Sequence, residues 1–123
     1  MEDLAIIERA HAAINQDDFV TAIDLLGPLV QRENALALNQ MGLLLQFGFG
    51  LPRNIDEAIK HFERSVALGN GFAAHNLGTL YLAGDASGVP DPARARQWYL
   101  LAYEMGAIVA DEEWYNSMRD EER

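Results

Sequence analysis

Three histidines, His11, His61 and His75, are the side chains of this chain best suited to acid–base work or metal binding. A helical metal site sets two such ligands four residues apart on one face, and no pair here has that spacing. The acidic runs Asp17-Asp18 and Asp111-Glu112-Glu113 could hold calcium only with further oxygen ligands on a loop. Neither sits in a twelve-residue calcium loop, and helix capping with solvation accounts for both. The segment Gly48–Pro52 has the glycines of a phosphate cradle but no Lys followed by Ser or Thr. Ser65, Ser87 and Ser117 lack the context of a nucleophile. Trp98-Tyr99 and Trp114-Tyr115 could form a ligand platform, although such pairs more commonly fill a core. No convergent polar pocket can be assembled from these parts, so the sequence predicts no catalytic residue, no cofactor and no metal.

Composition narrows the remaining classes. A net charge of −10, from 19 acidic and 9 basic residues, repels phosphate backbones and anionic lipid. Nucleic acid and membrane surfaces are therefore not expected as partners, whereas a basic protein could be steered in. Half of the residues are apolar, which in a 123-residue chain suffices for one domain over residues 1–123 without cross-links. The absence of cysteine excludes disulfides and thiolate chemistry. MEDLAIIERA lacks the basic region and long apolar run of a secretory signal, so a cytoplasmic location is expected.

The elements that must carry any binding surface read as helices. Ala73–Tyr81 (AAHNLGTLY) echoes Ala37–Leu45 (ALNQMGLLL) thirty-six positions earlier, with Gly78 over Gly42. Glycine inside a helix costs about 1 kcal/mol relative to alanine, so two at equivalent places imply a neighbour that leaves no room for a Cβ. Apolar spacing predicts helices over 3–14, from Phe19 to about Arg32, from about Asn34 to Phe47, and from Ile55 to about Leu68. It predicts three more over Phe72–Ala83, Ala93–Met105 and Asp111 to about Met118. Asp18, Asn54 and Asp91 stand as N-caps, with Glu57 expected to close a capping box back onto Asn54. Gly27-Pro28 predicts a kink or an early end near Leu26. The apolar residues of the third helix cover most of its surface, so it is expected between two neighbours.

The order A-x-x-x-L-G-x-x-Y, a G-x-G-V loop, A-x-x-W-Y-x-x-A and a closing glycine resembles the Sel-one-like repeat, a branch of the tetratricopeptide-like solenoids. The second copy carries Ala73, Leu77, Gly78, Tyr81, Gly84, Gly88-Val89, Asp91, Ala95, Trp98-Tyr99, Ala102 and Gly106. The first keeps Ala37, Gly42, Gly48, Gly50, Asp56, Ala58, Phe62 and Gly69, with Leu45 in place of the tyrosine. Residues 3–33 resemble an ordinary tetratricopeptide hairpin. The resemblance implies an all-α, α/α superhelical solenoid: hairpins at about 3–33, 35–69 and 72–106, and a capping helix at about 111–119.

It also implies a non-enzymatic adaptor or scaffold whose concave groove, lined by the first helix of each hairpin, holds a protein or peptide. Spacing from Gly42 and Gly78 then gives the protein-binding residues as Asn39, Leu43, Phe47, Phe72, His75, Asn76 and Thr79. Gln46 and Leu82 lie beside them, and Leu4, Ile7 and His11 are their counterparts in the first hairpin. These positions carry no Lys or Arg, which argues against clamping an acidic C-terminus. The alternative is an immunity or inhibitor protein that covers a basic toxin or enzyme, steered by its acidic charge. A monomer or weak homodimer is expected.

Overall fold

A computed structural model of the protein describes residues 2–108 and 112–120. Among them are seven helices and no strand: α1 (Glu2–Asn15), α2 (Phe19–Gln31), α3 (Ala35–Phe47), α4 (Ile55–Ala67), α5 (Gly71–Ala83), α6 (Pro92–Glu104) and α7 (Glu112–Asp120). Consecutive helices pair as α1/α2, α3/α4 and α5/α6, and α2 on α3 and α4 on α5 join the pairs. The first helices also meet one another, α1 with α3 and α3 with α5, while α7 rests on α6. Asp111, expected to open the last helix, lies outside the described residues, as do Val109 and Ala110.

Short polar side chains start the helices by satisfying amides that have no partner inside the helix. Asp18 accepts from the Thr21 amide at 3.3 Å, Asn34 from Ala37 at 3.0 Å, Asn54 from Glu57 at 3.1 Å and Asp91 from Arg94 at 3.1 Å. Asn70, which apolar spacing alone does not single out, caps α5 through the Phe72 amide at 3.1 Å. The capping box does not close. The Asn54 amide donates to the Leu45 carbonyl at 2.9 Å, leaving no donor for Glu57. The next repeat does the same, with the Asp91 amide on the Tyr81 carbonyl at 2.9 Å. In both repeats the last turn of the first helix thus fixes the start of the second.

Helix α2 does not end at Leu26. It continues to Gln31 with Pro28 inside it, because Leu29 must enter the core, where it is fully buried. Pro28 faces solvent, so water can serve the Asp24 carbonyl that the missing amide leaves unbonded. Gly27 removes the other obstacle, since a residue before proline resists helical geometry through its Cβ and glycine has none.

Two apolar clusters fill the molecule. One gathers Ile7, Ala10, Leu26, Leu29, Ala37, Met41 and Leu44; the other gathers Ala58, Phe62, Ala73, Leu77 and Leu80. Leu45 packs against both, and α3 is enclosed between two neighbours as its composition predicts. The paired glycines receive aromatic rings. A Cβ on Gly42 would lie 2.6 Å from Phe62 Cε1, and one on Gly78 would lie 2.7 Å from Tyr99 Cδ1. Each ring belongs to the second helix of the same hairpin. The neighbour that leaves no room for a Cβ is thus the second helix of the same hairpin, and the notches close each hairpin internally.

Polar side chains brace the joints between hairpins. Buried Ser65 donates to the Ala35 carbonyl at 2.6 Å and accepts from Asn70 Nδ2 at 3.1 Å. On α7, Tyr115 stacks on Tyr103 with ring centroids 4.7 Å apart and donates to Glu104 Oε1 at 2.8 Å. Trp114 lies 5.7 Å from the same Tyr103 ring. The aromatic pair at 114–115 thus holds the last helix onto the third hairpin.

Candidate functional site

Helices α3 and α5 contain no charged residue, which leaves a neutral face on an otherwise acidic protein. At its centre Asn76 Nδ2 donates to Asn39 Oδ1 at 2.8 Å and ties the two helices side by side. Asn39 Nδ2 and Asn76 Oδ1 take no part in that bond. Phe72 stands one turn before Asn76 on α5 and is 60% exposed. Phe47 stands two turns beyond Asn39 on α3 and is 53% exposed. At about 1.5 Å of rise per residue, the two rings flank the amide pair by roughly 6 and 12 Å along the helix axes.

The other expected residues separate into two groups. Leu43 belongs with Phe47. His75 and Thr79 turn toward α6, where the His75 ring lies 5.4 Å from that of Tyr99 and the Thr79 hydroxyl is 3.0 Å from the Tyr99 hydroxyl. Thr79 also donates to the His75 carbonyl at 3.2 Å, so its hydroxyl is already engaged. Two neighbours from the sequence reading do not line the face. Ile7 is in the core. Gln46 is 4% exposed and donates to Asp85 Oδ2 at 3.1 Å, while its carbonyl accepts from Arg53 Nε at 3.1 Å. Arg53 and Asp85 approach to 3.6 Å. Gln46 therefore links the loops after α3 and α5, because helical spacing from Gly42 gives its angle but not the loop that covers it.

Between the first two hairpins lies a pocket of about 230 Å³ lined by His11, Ile14, Gln40, Leu43, Leu44, Phe47 and Phe49. Phe49 builds its outer wall. Its ring stacks 5.1 Å from Phe19 and 5.6 Å from Phe47, so the loop after α3 folds back over the first hairpin. Gly50 permits this approach, since a Cβ there would lie 2.6 Å from Phe19 Cβ. Sequence reasoning names none of Phe49, Ile14 and Gln40 as a binding residue. The only signal for Phe49 is the pair Phe47 and Phe49 astride Gly48, whose backbone is left-handed (φ 71°) and reverses the chain.

The histidines take separate roles in this arrangement. His11 lines the pocket, His75 meets Tyr99, and His61 on α4 bonds through Nδ1 to the Glu57 carbonyl at 2.8 Å. Among the described residues no three of His, Asp and Glu gather as metal ligands do, and no helix is long and apolar enough to cross a membrane.

Comparison with known proteins matches this geometry to a repeat. The sequence pattern of the Sel1 repeat fits residues 35–70 and 71–106. Over 84 residues, 68% of this chain, the sequence is 33% identical to chitin synthase regulatory factor 2 of Schizosaccharomyces pombe, of which the match covers 16%. The crystal structure of a Sel1 repeat protein from Oxalobacter formigenes superposes with a TM-score of 0.71 at 23% identity. That superposition covers 85% of this chain and 44% of the other. The chain spans less than half the length of either.

Proposed function

This chain belongs to the Sel1 repeat family, whose members are generally protein-interaction modules, and on that premise we propose that it is a non-enzymatic adaptor or scaffold holding a segment of another protein along α1, α3 and α5. One observation carries the reading: two uncharged helices, locked together through Asn39 and Asn76, present Phe47 and Phe72 more than half exposed on either side of that bond. An apolar face with amides at its centre suits an extended or helical segment, whose main chain pairs with Asn while its side chains cover the rings. Leu43 extends the face beside Phe47, and the exposed His75 and Thr79 carry it toward α6. The relative named a regulatory factor supports a regulatory assembly, in which this chain brings a partner into place.

The test replaces Phe47 and Phe72 together by alanine. Both rings are surface groups, so the melting temperature moves by no more than a few degrees while capture of a purified partner falls at least tenfold. Unchanged capture removes the groove assignment. The net charge of −10 favours the rival reading, an inhibitor that covers a basic enzyme or toxin. That reading expects capture to survive the double substitution and to fall steeply with salt.

A further inference from the structure

The pocket between α1 and α3 is distinct in chemistry from the amide-lined centre of the face, and it points to a particular kind of side chain. Its walls are Ile14, Leu43 and Leu44 with the rings of His11, Phe47 and Phe49. A volume of about 230 Å³ is below the roughly 300 Å³ at which whole small-molecule ligands are usually enclosed, and suits one bulky side chain. Aromatic walls favour a ring, which can stack or meet them edge to face. Gln40 lines the same pocket, and its buried Oε1 has no hydrogen-bond partner. The terminal torsion of glutamine is soft, so that oxygen can turn to a donor entering the pocket. A ring with an N–H satisfies it, whereas a plain phenyl ring leaves it orphaned.

Charge selects what stands beside the ring. Asp17 and Asp18 occupy the turn that follows pocket residue Ile14, with the Asp17 amide on the Ile14 carbonyl at 3.0 Å. Both carboxylates are exposed, and Phe19, next in the chain, stacks on the pocket wall Phe49. The nearby basic residue in the loop after α3, Arg53, is engaged with Gln46 and Asp85. Resting on the groove reading above, we infer that this pocket takes a tryptophan side chain of the partner segment, flanked by lysine or arginine that pairs with Asp17 and Asp18.

The test titrates the peptide Ac-Lys-Trp-Lys-NH₂ into isotope-labelled protein at low salt, where exposed charges are least screened. The expected result is saturable movement of the Ile14, Gln40, Leu43 and Phe49 amide resonances. Ac-Lys-Ala-Lys-NH₂ and Ac-Glu-Trp-Glu-NH₂ should each bind at least fivefold more weakly. In the F47A/F49A variant the first peptide should lose at least fivefold in affinity; if that variant does not fold, the peptide comparison decides alone. Equal binding of the acidic peptide, shifts centred on Phe72 and Asn76, or no binding would overturn the inference. If capture of a partner still depends on Phe72 after such a failure, only the pocket assignment falls. If that dependence is absent too, the groove reading falls with it.

Discussion

The ring of Phe62 lies so close to the backbone of Gly42 that a methyl group on that glycine would sit 2.6 Å from Cε1, well inside contact distance. Phe62 is fully buried, so it has little room to retreat. The same relation holds between Gly78 and Tyr99, but Tyr99 is only half-buried and its hydroxyl reaches the surface beside Thr79.

Gly42→Ala should therefore destabilise the fold although alanine is the better helix former. Overpacking costs about 1–3 kcal/mol, against about 1 kcal/mol recovered from helix propensity. Gly78→Ala should cost less, because Tyr99 can shift outward. Urea denaturation checks the order. In a Phe62→Leu background the Gly42→Ala penalty should shrink, which separates ring contact from backbone strain.

Helix α2 offers the opposite case. A Cβ on Gly27 meets nothing within 4 Å, yet Gly27→Ala alone should bring little gain, since the following proline resists a Cβ there. Pro28→Ala restores the missing amide and should raise the melting temperature. With Pro28 replaced, Gly27→Ala should add up to about 1 kcal/mol. Thermal melts of the two single variants and the double variant reveal this dependence.

Ser65→Ala leaves the Ala35 carbonyl and the Asn70 side-chain amide without their buried partner. The expected cost is about 1–3 kcal/mol, read from the midpoint of urea unfolding with its slope unchanged. The loss should be cooperative, because these groups join α3, α4 and the start of α5.

Glu33 links the turn after α2 to Arg64 on α4, with contacts of 2.9 and 2.7 Å. Hydrogen bonding to Arg64, then its charge, holds the Glu33 carboxyl below its ordinary value of 4.5. A depressed carboxylate contributes stability that is complete above the unfolded-state pKa and disappears as the pH falls through the folded one. The melting-temperature difference between the wild type and Glu33→Gln should thus be constant above about pH 5 and shrink below 4.5. The pair is exposed, so the difference should be small and should diminish further in salt.

Much of the architecture was written locally. Asp18, Asn54 and Asp91 start helices because a short side-chain oxygen reaches an amide within three residues. The thirty-six-residue echo announced the repeat because Gly42 and Gly78 are costly in helices unless something presses on them. The identity of what presses was not local. Phe62 and Tyr99 lie about twenty residues downstream, and only the hairpin angle brings their rings to the glycines. Pro28 shows the limit of local rules, since the core's demand for Leu29 outweighs a broken backbone bond.

For the candidate face, helical spacing places Asn39, Leu43 and Phe47 on one helix and Phe72, His75, Asn76 and Thr79 on another. It could not tell that Asn76 would bond to Asn39, that Thr79 would turn to Tyr99, or that Gln46 would be roofed by Asp85. The pocket was invisible for the same reason. A helix fixes the angle of each side chain about its own axis, while a cavity exists only where separate axes and the Gly48–Gly50 loop leave space between them. Sequence alone determined the repeat and its neutral helices; tertiary packing decided which of their side chains remain exposed.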